Sequence, residues 1–377
     1  MTRFLVAAVL VLLLTPAVPA VPGQETVDVR VAVYFSVIED YADEVVQALD
    51  CFWESNGVTY RLAPVVIDRG DVMGGGEHAL TPENFDVLAI PGSGRPYLDA
   101  LHPVWRNRVR EFVAGGGGYL GICGGANLAS MGFQEPLGPN SVLERGVLGL
   151  ANVYVNDQQH EEWQYLWKAN WEQGMPPVEI YIAPADNNPI FAGCYDEKCG
   201  VRYGGGPGMY PAHDQDPLLG PVVPLAVYAQ EPMQVAPLHF WRWRQGEWEI
   251  RANVTTDIRG QWAAVATTYG RGRVVLFGPH PEKPTWFGGR VEEFPVRPRL
   301  GPFTWFIYNW TGGRLSAPDY NWWMLQRAAA WLAGAPLPPP TETAARATAP
   351  STGGLLLRGR LLMPLLRADS VPLSAFS

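Results

Sequence analysis

Gly117-Gly118-Tyr119-Leu120-Gly121-Ile122-Cys123-Gly124-Gly125-Ala126-Asn127-Leu128-Ala129-Ser130 reads as a short apolar strand, a tight turn carrying one cysteine, and the first turns of a helix. Gly121-Ile122-Cys123-Gly124-Gly125 is G-x-C-x-G, the cysteine form of a nucleophile elbow. Glycines on either side let the chain bend sharply and leave the side chain between them projecting from the strand end. A helix starting just after Cys123 aims free N–H groups and a positive dipole end at the sulfur, which favours the thiolate. The plain alternative is a buried cysteine in a glycine-rich turn, since free cysteine commonly serves as inert core.

Outward from this stretch the chain alternates. Val29 to Tyr34 is a β-branched run that predicts a first buried strand, and Glu39 to Trp53 has apolar residues at helical spacing, stopping before Asn56-Gly57. Tyr60 to Ile67 and Phe85 to Ile90 predict two more strands, the second running into Pro91-Gly92-Ser93-Gly94. Val104 to Ala114 is helical, and the glycines at 115–118 end it. This order predicts an α/β fold: a flavodoxin-like parallel sheet with helices on both faces. Ligands in such sheets bind outside the carboxyl ends of the strands, where Gly92-Ser93-Gly94 and Cys123 both fall. Beyond 150, strands are expected at Val178 to Ala183, Val222 to Tyr228 and Ala263 to Phe277. A hairpin is expected from His239 to Ile250, an inserted aromatic helix over 161–167, and a last helix from Tyr320 to Leu332.

Composition bounds the rest. The 377 residues open Met1-Thr2-Arg3, then run apolar from Phe4 to Leu14 and close with small residues at Val18 and Ala20, the three parts of a secretory signal over 1–20. An uncleaved anchor is the alternative, although the run is short for a bilayer span. The net charge of −9 argues against a nucleic-acid partner, which selects basic faces. Export permits disulfides, and Cys194 and Cys199 are the only close pair among the four cysteines, expected as a loop-stapling bridge with a zinc half-site as the rival. No metal and no cofactor is expected. From residue 336 to 377 the chain turns Pro-, Ala- and Thr-rich, a linker and tail whose Leu355 to Arg367 is the one stretch suited to touching a membrane surface. Trp241 and Trp243 share one face of the expected hairpin, where packing is the default and an aromatic platform for sugars or peptides the alternative.

A thiol nucleophile needs a base in reach and a group to hold that base. Among six histidines, His280 alone follows a long apolar strand and has a carboxylate, Glu282, two residues on, with Pro281 stiffening the link. His213-Asp214 competes but lies in a Pro/Gly/Asp-rich loop with no strand to aim it.

The order G-x-C-x-G and then Gly278-Pro279-His280-Pro281-Glu282 resembles the class I glutamine amidotransferase-like superfamily. With Pro91-Gly92, Pro96-Tyr97, Tyr203-Gly204-Gly205-Gly206-Pro207 and Gly270-Arg271-Gly272, it is similar to the amidotransferase-like N-terminal domain of biotin–protein ligases and its stand-alone prokaryotic relatives. The likeness covers about 29–335, with insertions near 151–177 and 185–250. It implies Cys123 as nucleophile, His280 as base, Glu282 as orienting carboxylate, and an oxyanion hole from the N–H of Gly124 and the loop at Gly92-Ser93. Ser93 departs from the family's Pro-Gly-Gly; at φ > 0 it would carry strain or misform the hole. Gly270-Arg271-Gly272-Arg273 resembles a biotin-binding loop, yet it reads as a hairpin turn. No segment after 335 is long enough for a ligase domain, so no biotin transfer is expected. The expected function is therefore an exported cysteine-dependent amidase acting on a small-molecule or peptide amide through a thioester, the alternative being a non-catalytic binding module with an aromatic contact surface. The oligomeric state is left open.

Overall fold

Strand β1 (Thr26–Tyr34) buries Val29, Val31 and Val33 in one core and Ala32 and Tyr34 in another. A strand apolar on both faces belongs inside a sheet covered on both sides. The computed structural model describes residues 25–36, 41–75, 78–92, 95–133, 144–156, 175–183, 188–191, 198–213, 216–237, 239–253, 255–296 and 305–339. The chain divides into two compact units, Met1–Thr341 and Glu342–Ser377, and the second lies outside the described residues, as does the expected signal over 1–20.

After β1 come α1 (Ala42–Leu49), β2 (Cys51–Ser55), β3 (Val58–Ile67), α2 (Arg69–Val72), β4 (Val87–Ile90), α3 (Arg95–Ala100), α4 (Pro103–Ala114), β5 (Gly118–Ile122) and α5 (Gly124–Ala129). Strands β6 (Val153–Val155), β7 (Pro177–Ile182), β8 (Lys198–Arg202), β9 (Met209–Pro211) and β10 (Val223–Tyr228) follow, then α6 (Pro232–Val235). Next are β11 (His239–Arg244), β12 (Glu247–Asn253), β13 (Trp262–Tyr269) and β14 (Gly272–Phe277). Short strands β15 (Trp286–Phe287), β16 (Arg290–Val296), β17 (Trp305–Thr311) and β18 (Arg314–Leu315) lead to α7 (Trp322–Leu332).

The main sheet runs β2-β3-β1-β4-β5-β14-β13-β10-β7-β8. Its centre, β3-β1-β4-β5-β14, is parallel throughout, so five carboxyl ends share one edge. Beyond β14 every pairing is antiparallel. Helices α1 and α7 cover the face that buries Val31 and Val33; α4 and α5 cover the other, where Trp105, Val109 and Phe112 meet Ala126 and Leu128. Close approach of α7 needs Gly118, where a Cβ would lie 2.7 Å from Leu332 Cβ. The α/β flavodoxin-like sheet with helices on both faces is thus observed, extended by an antiparallel wing.

One expectation is corrected. The helix read from Glu39 to Trp53 stops at Leu49, and Cys51 to Ser55 forms an edge strand on β3 instead. Asn56 and Gly57 have φ of 52° and 79°, and with both central residues at positive φ this pair is a two-residue hairpin turn rather than a helix stop. The aromatic helix expected over 161–167 lies outside the described residues.

Candidate active site

Cys123 stands at the end of β5, its N–H donating to Phe277 O at 2.7 Å, and α5 begins at Gly124. Its φ of 49° and ψ of −106° put an L-residue where side chains rarely go, a strain of order 1–3 kcal/mol held by the surrounding packing. That packing is backbone on backbone. A Cβ on Gly121 would lie 2.6 Å from Gly125 O, and one on Gly125 would overlap Ile90 O. Cys123→Gly should therefore be more stable than Cys123→Ala by about 1 kcal/mol, because only glycine relieves the positive φ. Chemical denaturation of the two variants measures the difference.

His280 lies three residues past β14 and donates its backbone N–H to Arg202 O at 2.9 Å. Its Nδ1 is 2.6 Å from Glu282 Oε1, with His280 1% and Glu282 2% exposed. Burial alone would push the imidazole down. The charges of Glu282 and Cys123 outweigh it and raise His280 to about 10. Burial likewise opposes the Glu282 carboxylate, but the His280 charge and hydrogen bond, helped by Lys283, hold it below the usual carboxylate range. Cys123 acts on the imidazole through its charge first and through a side-chain hydrogen bond second.

Two glycine segments close over these groups. A Cβ on Gly92, just past β4, would lie 2.5 Å from His280 Cε1 and 2.9 Å from Cys123 Cβ. Gly204 presses on the other side of the ring, its Cβ position 2.8 Å from His280 Nε2, while that of Gly206 falls 3.3 Å from Cys123 Sγ and overlaps Gly278 O. The Tyr228 hydroxyl anchors this loop by donating to Pro207 O at 3.1 Å. Gly92→Ala should displace His280 and slow alkylation of Cys123 by about tenfold or more while the fold persists, as read by labelling rates beside circular dichroism. A variant that labels at the wild-type rate would show that the ring does not depend on Gly92.

The structure therefore brings Cys123, His280, Glu282, Gly92 and Gly124 to one edge of the sheet. Ser93 lies outside the described residues, as does Cys194. Cys199 is a free thiol here, its Sγ donating to Asn321 Oδ1 at 3.4 Å. Burial pushes Cys199 up to about 12; burial and the Asp50 charge do the same to Cys51. Sequence reasoning passed over the covering role of Gly204 and Gly206, and it missed the rim. There Lys283 pairs with Glu44 and sits 4.4 Å from the Tyr41 ring centroid, and that ring lies 6.2 Å from the His280 ring. The Glu282-Lys283 dipeptide was the available signal.

Residues 82–288, more than half of the chain, match the family model for the N-terminal domain of biotin–protein ligase. The chain belongs to this family. Its glutamine amidotransferase-like character accords with the sheet and the elbow. This biotin–protein ligase N-terminal-like chain is also 39% identical over 79 residues to an uncharacterised protein of Chlamydia muridarum, covering 19% of this chain and 30% of that protein. The match thus spans about 30% of the length of the curated relative. Among solved structures, a cytoplasmic protein of Salmonella typhimurium aligns with TM-score 0.32 at 10% identity, covering 66% of this chain and 86% of that one. The glutaminase domain of Trypanosoma brucei CTPS, solved with bound acivicin, aligns with TM-score 0.30 at 13% identity, covering 67% and 86%. A β-galactosidase of Bacillus circulans gives 0.31 at 12%, covering 66% and 28%. Scores this low carry no argument about function.

Proposed function

We propose that the protein is an exported cysteine-dependent amide hydrolase. The observation that carries this reading is the buried His280–Glu282 pair packed, across Gly92, against a cysteine held at positive φ. Sulfur of Cys123 attacks the amide carbonyl, forming the S–C bond. His280, oriented by Glu282, passes the thiol proton to the departing nitrogen as the C–N bond breaks. Water then attacks the thioester carbon, His280 takes its proton, the S–C bond breaks and the acid leaves while sulfur recovers the proton. The N–H of Gly124 and the loop at Gly92-Ser93 serve the tetrahedral oxyanion.

Incubation with a panel of small carboxamides and acyl-peptides tests the reaction: an acyl adduct on Cys123, cleaved by hydroxylamine, and release of ammonia or amine are expected. Absence of any adduct across the panel, with Cys123 intact, favours the binding-module alternative. Biotin transfer is not part of the proposal, and formation of biotinyl-AMP by the purified protein would overturn that exclusion.

Export is supported by the opening residues, and a Cys194–Cys199 bridge by their spacing. Intact mass of the exported protein should place its start near Val21 and fall short by the two hydrogen atoms lost in a disulfide until it is reduced. A mature chain retaining 1–20, or four thiols alkylated without reductant, contradicts this.

A further inference from the structure

Past β14 the chain turns tightly at His280, the Lys283 N–H donating to His280 O at 3.3 Å. Glu282 meets the imidazole, while Lys283, the next residue, reaches α1. Lys283 is only 9% exposed, although a lysine ordinarily keeps its ammonium in water. Two contacts hold it there. Its Nζ pairs with the Glu44 carboxylate and lies 4.4 Å from the centroid of the Tyr41 ring. Tyr41 and Glu44 stand three residues apart at the start of α1, so one helical turn offers both to the same ammonium. The Tyr41 ring in turn lies 6.2 Å from the His280 ring, tilted by 58°.

The chemistry above gives Tyr41, Glu44 and Lys283 no step, yet it requires an imidazole held in one place. Glu282 fixes the ring at Nδ1, and Gly92 and Gly204 approach it near Cε1 and Nε2. Tyr41 is its aromatic neighbour, and the cation on Tyr41 is what ties that ring down. An ammonium over an aromatic face is attracted by the ring quadrupole, most strongly where water is excluded. Glu44 offsets the charge that burial would otherwise leave unpaired. The contacts thus run in a chain from Glu44 through Lys283 and Tyr41 to His280.

We propose that Lys283 is a positioning residue: its ammonium, anchored by Glu44, holds the Tyr41 ring against His280 and so keeps the imidazole in place beside Cys123. The clamp rests on the Cys123–His280 pairing of the amide-hydrolase reading and adds a part that reading does not contain. Lys283 also favours the ionised form of Glu282, a second route to the ring that the test must separate.

The readout is the second-order rate of iodoacetamide labelling at Cys123 near pH 6, in the full chain, with the adduct mapped by peptide mass. Lys283→Met keeps the stem and removes the charge, and it should slow labelling by about fivefold. Tyr41→Leu should slow it by a similar factor, and the double variant should be no slower than either alone, because one contact carries the effect. Lys283→Arg keeps a cation for the ring and should recover most of the rate, as should Tyr41→Phe, which keeps the ring. The Glu44 side chain is 44% exposed, so Glu44→Lys repels Lys283 without opening the core and should also slow labelling. That variant decides the matter if Lys283→Met does not fold, an unchanged rate overturning the clamp. Losses that multiply in the double variant overturn it too, since Lys283 would then act through Glu282. So does a Lys283→Arg as slow as Lys283→Met. A rate unchanged by Lys283→Met but lowered by His280→Ala overturns the clamp alone. Wild-type labelling indifferent to His280→Ala removes the pairing, and the clamp with it.

Discussion

Glu282→Ala is expected to lower the unfolding free energy by about 3–5 kcal/mol near pH 6, because it leaves the buried His280 imidazolium without its partner. The effect should depend on pH with a definite sign. His280 is raised from an ordinary 6.5 to about 10, so its contribution is full below 6.5 and is lost as pH rises through 10. Glu282 is lowered from an ordinary 4.5, so its contribution is present above 4.5 and is lost as pH falls through its folded value. The stability gap between wild type and variant should therefore be widest between about 4.5 and 6.5 and should shrink toward pH 10. Urea unfolding at pH 6 and at pH 10 measures both points. A gap that is small or the same at the two values contradicts an ionised buried pair.

The second large effect is kinetic. On any amide that acylates Cys123, His280→Ala should reduce kcat by about 10²–10⁴-fold, since the base that moves the proton is gone. Glu282→Gln should cost less, because the imidazole remains and only its orientation and charge partner change. Cys123→Ala should leave no acyl adduct at all. Equal losses from Glu282→Gln and His280→Ala would mean that the carboxylate acts directly rather than through the ring.

Much of this site was legible in the sequence because its parts are local. Gly121 to Gly125 encode a turn that glycine alone permits, and the close approach of Gly121 to Gly125 O and of Gly125 to Ile90 O explains why. His280, Pro281 and Glu282 are close enough in sequence that their contact follows from one strand end. The cover was not legible in the same way. Gly204 and Gly206 touch His280 and Cys123 from far along the chain, and a glycine carries no signal of what it approaches. Cys51 to Trp53, the first part of the edge strand Cys51–Ser55, reads as helix in the sequence because its apolar residues fit either period, and the Asn56-Gly57 turn decides between them. The antiparallel wing of β13, β10, β7 and β8 was visible as strands, but pairing order is a long-range property that short apolar runs do not specify.

The central claim is that His280 and Cys123 work as a pair, and the pH profile of alkylation tests it most directly. Iodoacetamide should react quickly near pH 6, because a cationic His280 packed against the sulfur favours its attack. The adduct should map to Cys123 ahead of Cys51, whose thiol burial and the Asp50 charge push up to about 12. His280→Ala should slow labelling at pH 6 by about tenfold or more, because the sulfur loses its cationic neighbour. A Cys123 that labels no faster than the denatured chain, at a rate indifferent to His280→Ala, contradicts the account.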